Sequence, residues 1–289
     1  MRILSVLVAL AAMLSISAAK DESQVADLVK QHLNSIGTEQ ARAATTRRAV
    51  EGSVSFQVLN STTGHQDGKE VFVSDGGKFV SLLKLPNPNY HGERFVSDGK
   101  KTLITQVKPG AWSRLGDFVM VHNEILTEGL WGGTLSTGWA LAHLDERLAK
   151  LQDRGLKKVN GRELRRVDYA PKKHSDLEIQ LYFEPDTYRH VLTIYSLTIG
   201  AGIARTDMAT ARQQDTHYRI EERFADFKKV SDLTLPQRWT VQFMSDVPEV
   251  SISGRTAFGA AIDTVSQFEV TETSISHNVE IDPRNFEVK

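Results

Sequence analysis

Asp176-Leu177-Glu178-Ile179-Gln180-Leu181-Tyr182-Phe183-Glu184 places Leu177, Ile179, Leu181 and Phe183 on one face of an extended chain and Asp176, Glu178, Gln180 and Glu184 on the other. A period of two marks a β-strand with one dry and one wet side. After the turn signal Glu184-Pro185-Asp186, Val191 to Ile199 forms the expected hairpin partner. There Val191, Tyr195, Leu197 and Ile199 share a face, while Leu192 and Ile194 add apolar residues to the second, which predicts a strand covered on both sides.

Working outward from this hairpin, the same period recurs at Val50 to Val58, where Val54, Phe56 and Val58 alternate with polar residues, and at Glu70 to Ser74, Lys78 to Leu85, Glu93 to Ser97 and Thr102 to Val107. Further strands are expected at Val159 to Tyr169, His217 to Phe227, Gln237 to Ser245, Val265 to Thr273 and His277 to Ile281. Asp67-Gly68, Asp75-Gly76-Gly77, Asp98-Gly99, Pro109-Gly110 and Asn160-Gly161 supply turn chemistry between runs. The pattern predicts a meander of mostly antiparallel strands.

Two helical regions break it. Val25, Leu28, Val29, Leu33 and Ile36 repeat at helical spacing over Asp21 to Ile36, with Asp21 and Gln24 in capping-box positions and Gly37 as the stop, and a more polar helical piece is expected over Glu39 to Arg48. Between Leu115 and Gly155 lies a non-strand insert. In it Asp117 is placed to cap a helix with Phe118, Val121, Ile125 and Leu126 inward and Gly129 at its end; a second helix is expected with Leu141, Leu144, Leu148 and Leu151 on one side. Between them Leu130-Trp131-Gly132-Gly133-Thr134-Leu135-Ser136-Thr137-Gly138-Trp139 is apolar and glycine-rich. This segment fits either a plug closing one face of the sheet or a movable lid over a cavity.

Residues 1–19 pair a positive start with the apolar run Ile3 to Ile16 and the small residues Ser17-Ala18-Ala19, the layout of a cleaved secretory signal. An uncleaved anchor is the alternative, disfavoured because a span needs about 20 apolar residues. Cleavage before Lys20 would leave 270 of the 289 residues, read as one domain over 20–289 in a periplasmic or secreted protein with no integral membrane segment. No cysteine is present, so disulfides, thiolate metal sites and lipid attachment through cysteine are excluded. The chain carries 35 basic and 36 acidic residues; without Arg2 the balance is 34 against 36, which is no nucleic-acid footprint.

Three strings resemble the LolA and LolB lipoprotein carriers and their outer-membrane lipoprotein-sorting relatives. They are Phe95-Val96-Ser97-Asp98-Gly99-Lys100, then Phe224-Ala225-Asp226-Phe227-Lys228-Lys229-Val230 with Leu233 to Arg238, and the tail Asn278 to Val288 with its Pro-x-x-Phe. The resemblance implies an α+β fold: a strongly curved antiparallel sheet, an incomplete barrel, with an N-terminal helix and a central helical insert as plug or lid. It also implies an Arg-Pro pair at the end of an early strand, the arginine helping to hold the lid shut. The corresponding region here reads Ser74-Asp75-Gly76-Gly77-Lys78, with neither residue.

Catalytic signals are thin. Gly133-Thr134-Leu135-Ser136-Thr137-Gly138 misses the nucleophile-elbow spacing by one residue, and the nine histidines stand singly, His122 near Glu124 and His217 near Glu221 and Glu222 being the nearest to metal sets. Gly200-Ala201-Gly202 lacks the third glycine of a dinucleotide loop, and the neighbours Glu221-Glu222 point to opposite faces of a strand. What the resemblance implies is a carrier or sensor of acyl chains, and no covalent chemistry, cofactor or metal is expected. Its partner would be a lipid or a lipid-modified protein. The expected cavity or lid residues are Val54, Phe56, Val58, Leu130, Trp131, Leu135, Trp139, Leu177, Ile179, Leu181 and Phe183. The alternative is an envelope interaction module with a plugged sheet that binds another envelope protein.

Overall fold

The computed structural model describes residues 23–59, 65–88, 90–110, 112–200, 215–247 and 262–288. The expected signal segment, the Asp21 cap and the connection beyond Gly200 lie outside the described residues. After helix α1 (23–36) and α2 (Glu39–Ala44) come β1 (Arg47–Val58), β2 (Gln66–Asp75), β3 (Lys78–Lys84), β4 (Gly92–Ser97) and β5 (Thr102–Gln106). The insert carries α3 (Arg114–Val121), α4 (Glu124–Thr127), two 3₁₀ turns (Gly133–Leu135 and Ala140–His143) and α5 (Leu144–Arg147). Then follow β6 (Lys150–Val159), β7 (Arg162–Ala170), β8 (Glu178–Phe183), β9 (His190–Ile199) and β10 (Thr216–Ala225). The chain ends with β11 (Lys228–Val230), β12 (Leu233–Leu235), β13 (Arg238–Val247), β14 (Ile262–His277) and a 3₁₀ turn (Pro283–Phe286).

Twelve strands form one curved antiparallel sheet in the order β5-β4-β3-β2-β1-β14-β13-β10-β9-β8-β7-β6, and β11 and β12 make a separate hairpin. It does not close into a barrel: β5 and β6 stand at opposite ends. Those two strands are consecutive in the chain. With neighbouring strands about 4.8 Å apart, the segment joining them must cross roughly 50 Å of sheet. It crosses the concave face, so the main core lies between the sheet and the insert.

Several expectations are corrected by this geometry. Leu148 and Leu151 do not extend a helix: Leu148 takes a left-handed φ of 55° that ends α5, and Leu151 lies in β6. Ser113, not Asp117, caps α3, its hydroxyl accepting from the Gly116 N–H, and the expected single helix is broken into α3 and α4 at His122 and Asn123. Val121 points outward, 74% exposed. α2 ends at Ala44, before the expected Arg48, because β1 begins at Arg47. The closing strand ends at His277, and residues 278–281 are not strand; Phe286 of the tail packs instead on Val80 and Val96 of the convex face.

The β8–β9 hairpin keeps Leu177, Ile179, Leu181 and Phe183 in the main core and Glu178 exposed. Its other face is not wholly wet, since Tyr182 packs with Leu164, Leu192 and Ile194 in a second cluster. That cluster covers the second side of β9. A register shift between Tyr182 and Phe183, paired with Leu192 and His190, makes Val191 an extra bulge residue and moves it off the face shared by Tyr195 and Leu197. Ile199, at the strand end, is half exposed.

Candidate ligand-binding site

The concave core is built from alternate residues of the strands, Val50 and Val54 in β1, Phe72 in β2, Phe79 and Leu83 in β3, Phe95 in β4, Ile220 and Phe224 in β10, Trp239, Val241 and Phe243 in β13, and Phe268 and Val270 in β14. Onto it the insert lays Leu115, Phe118, Ile125, Leu126, Leu130, Trp131, Leu135 and Trp139. Of the expected site residues, Leu130, Trp131, Leu135, Trp139, Val54, Leu177, Ile179, Leu181 and Phe183 all join this one cluster. Phe56 packs at its edge against Tyr90 and Phe268, and Val58 is half-buried outside it.

Trp131 has no exposed surface and sits between Phe95 and Trp239, ring centroids 5.1 and 5.3 Å away. Trp139 stacks on His190 at 4.8 Å. The glycines around them serve contact. At Gly132, where φ is +74°, a Cβ would lie 2.9 Å from the Phe72 ring, and at Gly138 it would lie 2.5 Å from the Gly76 carbonyl oxygen.

Buried polar side chains, which alternation alone does not reveal, fasten the insert to the sheet. Glu222, fully buried on β10, accepts from the Gly132 N–H at 2.8 Å, the Tyr195 hydroxyl at 2.7 Å and the Trp239 indole at 2.9 Å. Burial pushes its carboxyl up to about 7, the three donors opposing. Glu221 lies on the opposite face, held by Arg219 and Arg223. Glu93 of β4 accepts from the Ser113 N–H at 2.6 Å, the Ser113 hydroxyl at 2.7 Å and the Tyr90 hydroxyl at 3.2 Å, so the α3 cap is itself anchored to the sheet. Ser74 receives the Thr137 N–H at 3.0 Å.

A buried arginine of β1 also reaches the insert. Arg48 Nη1 donates to the carbonyl oxygens of Thr134 at 2.6 Å and Leu135 at 3.0 Å, in the middle of the insert. On the far side α1 turns Val25, Leu28, His32 and Ile36 inward, and His32 Nε2 accepts from the Trp139 indole. Ser136 Oγ accepts from the Gly138 N–H just after a 3₁₀ turn, and no strand immediately precedes it. His217 faces Asp246, and His122 lies 3.7 Å from Glu124.

At one end the core opens. A groove of about 440 Å³ runs between α3 and strands β9, β10 and β13, lined by Phe118, Val121, Leu197, Ile199, Tyr218 and Phe243 with Arg114, Asp117, His122 and Ser245 around them. Phe118, Leu197 and Phe243 belong at once to the groove and to the main core. Val121 and Ile199 leave much of their apolar surface to solvent. The only hint of this groove in the amino-acid order is that both helix α3 and strand β9 carry more apolar residues than one buried face needs.

A second opening, about 510 Å³, lies where α1, α2 and the insert meet above Arg48. Among the described residues no helix is long and apolar enough to cross a membrane.

No protein-family model and no curated protein matches the chain. Among solved structures it is similar to a DUF1329 family protein from Desulfovibrio piger, with 11% identity, 91% of this chain and 97% of the other covered, and a TM-score of 0.44. It is likewise similar to a LolA superfamily protein from Nitrosomonas europaea at 9% identity, 91% and 96% coverage and a TM-score of 0.45. An outer membrane lipoprotein-sorting protein domain from Vibrio parahaemolyticus aligns at 10% identity over 89% and 97% of the two chains, with a TM-score of 0.39.

Proposed function

We propose that this chain is an exported binding protein that carries or senses acyl chains, its ligand entering at the groove beside α3 and lying against the concave face. The observation that carries this reading is the continuity of groove and core through Phe118, Leu197 and Phe243. A chain laid there removes the exposed surfaces of Val121 and Ile199 from water and meets the core directly. Each methylene so buried contributes about 0.8 kcal/mol, and no charge or metal is needed for that.

Deeper entry needs the insert to move. Its seat is polar at Arg48, Glu93 and Glu222, and a desolvated charged group regains hydration when it is released, so a polar latch is easier to open than an equal area of apolar contact. On this reading the insert is a lid in its closed position.

The test is titration of delipidated protein with a long-chain fatty acid, in the parent and in Val121→Asp and Ile199→Asp variants. Both positions are exposed, so folding should hold within about 0.5 kcal/mol. Saturable binding lost in both variants supports the reading. Absence of binding in folded parent protein, or binding unaffected by either variant, contradicts it and favours an interaction module.

A further inference from the structure

We propose that the opening between α1, α2 and the insert receives the anionic headgroup of a single-chain amphiphile, with Arg48 as the group that binds it. This rests on the reading above that the protein binds acyl chains and adds the class of ligand; it describes a position of the ligand distinct from the α3 groove, at the opposite end of β14.

Arg48 is 4% exposed, yet among the described residues it has no carboxylate partner. Its Nη1 is used on two carbonyl oxygens and its Nε has no partner at all. Burial alone draws its pKa down to about 10. Directly across the strand pair on β14, His277 also has a buried ring nitrogen, Nε2, without a partner, and Arg48 helps to hold that imidazole neutral. Buried charges in proteins are paired as a rule, because an uncompensated one is strongly unfavourable. A guanidinium desolvated with no counter-ion is a place prepared for an anion.

The walls say what the anion is attached to. Leu33, Ile36 and Trp139 make one side apolar, while Thr134, Ser136 and Thr137 bring hydroxyl and backbone groups to the other. Arg42 lines the same space with its Nη1 turned to the carbonyl oxygens of Leu33 in α1 and of Gly37 just after it. The acids that share the opening are Glu39, which is exposed, and Asp75, which is half-buried. A phosphate or carboxylate on Arg48 with the first part of its chain along Leu33 and Ile36 satisfies both walls. Because the same Nη1 holds Thr134 and Leu135, an anion that recruits it also loosens the insert, so headgroup binding favours the open lid.

The test uses delipidated full-length mature protein and three probes below their critical micelle concentrations: dodecyl phosphate, dodecyl maltoside and inorganic phosphate, followed by calorimetry and Trp emission. In the parent, dodecyl phosphate should bind at least about tenfold tighter than the neutral dodecyl maltoside. Arg48→Gln also frees Thr134 and Leu135 of the insert, so the quantity read is the ratio of the two affinities within each protein: it should fall to about one in Arg48→Gln, and Arg48→Lys should keep part of it. Equal affinities in the parent, or a gap that survives Arg48→Gln, would overturn the headgroup site and leave the carrier reading intact. Binding of inorganic phosphate through Arg48 with neither amphiphile bound would uphold the anion site and contradict the carrier. No binding of any probe would overturn both. The parent comparison needs no variant, so a misfolded Arg48→Gln protein does not spoil the test.

Discussion

The indole N–H of Trp139 donates to Nε2 of His32 across 2.9 Å, which obliges His32 to carry its proton on Nδ1, where the Tyr188 carbonyl oxygen accepts at 3.0 Å. One imidazole thus ties the insert to α1 and to the β8–β9 hairpin. Burial lowers its pKa from 6.5 to about 4, so the unfolded chain takes up this proton before the native protein does. The stability it contributes is complete above pH 6.5 and is lost as pH falls through about 4. Protonation of Nε2 removes the acceptor. Acidification should therefore change Trp139 emission with a midpoint near 4, and the same titration of Trp139→Phe should lack that transition. A transition that persists in the variant would place it elsewhere.

Glu70 and Glu272 flank Gly52 on neighbouring strands, and neither carboxyl has a donor among the described residues. Burial, and for Glu70 the nearby Glu272, raises both; Glu272 reaches about 8. In the unfolded chain they titrate near 4.5, so above that, and up to about 8 for Glu272, the native state holds protons that the unfolded state has released. Stability then falls as pH rises. Above 6.5 the His32 slope is spent. Thermal melts should show Tm falling from pH 6.5 to 8 in the parent, and a Glu70→Gln, Glu272→Gln double variant should be flatter and more stable at pH 8. A Tm that rises over this range would sink the argument.

Gly116 sits inside α3, where alanine would ordinarily be favoured by about 1 kcal/mol. Here a Cβ would lie 2.6 Å from Glu93 Oε1, the acceptor that anchors the α3 cap. Gly116→Ala should reverse the usual sign and cost about 1–3 kcal/mol in urea unfolding. Stabilisation would mean that Glu93 does not hold α3.

Leu181 is fully buried, opposite Val167 and Thr193 in the neighbouring strands. Leu181→Asp buries an unpaired charge and should cost about 3–5 kcal/mol, enough to unfold many domains. Glu178→Ala, three positions away on the exposed face, should stay within about 0.5 kcal/mol of the parent. Similar urea midpoints for the two variants would refute the face assignment.

The alternation of Leu177, Ile179, Leu181 and Phe183 made β8 legible because a half-buried strand writes its burial directly into the residue order. β6 was hidden for the converse reason. As an edge strand, Lys150–Val159 buries neither face, and Leu144, Leu148 and Leu151 happen to fall at helical spacing. Leu130, Trp131, Leu135 and Trp139 were identifiable as large apolar groups that must dock somewhere, but their partners Arg48, Glu222 and His32 read as polar surface positions. Only the order of strands shows that they face inward beneath a segment forced across the sheet by the placement of β5 and β6. The groove at Phe118 and Ile199 needs α3 and β9 to meet in space, which no local pattern encodes.

Occupancy of this protein by an apolar chain is tested most directly by mass spectrometry of organic extracts from gently purified native material. An acyl-bearing species is expected at near-stoichiometric amounts, absent from extracts of folded Ile199→Asp protein prepared in parallel. Native protein that yields no such species, and that after delipidation takes up no fatty acid, would contradict it.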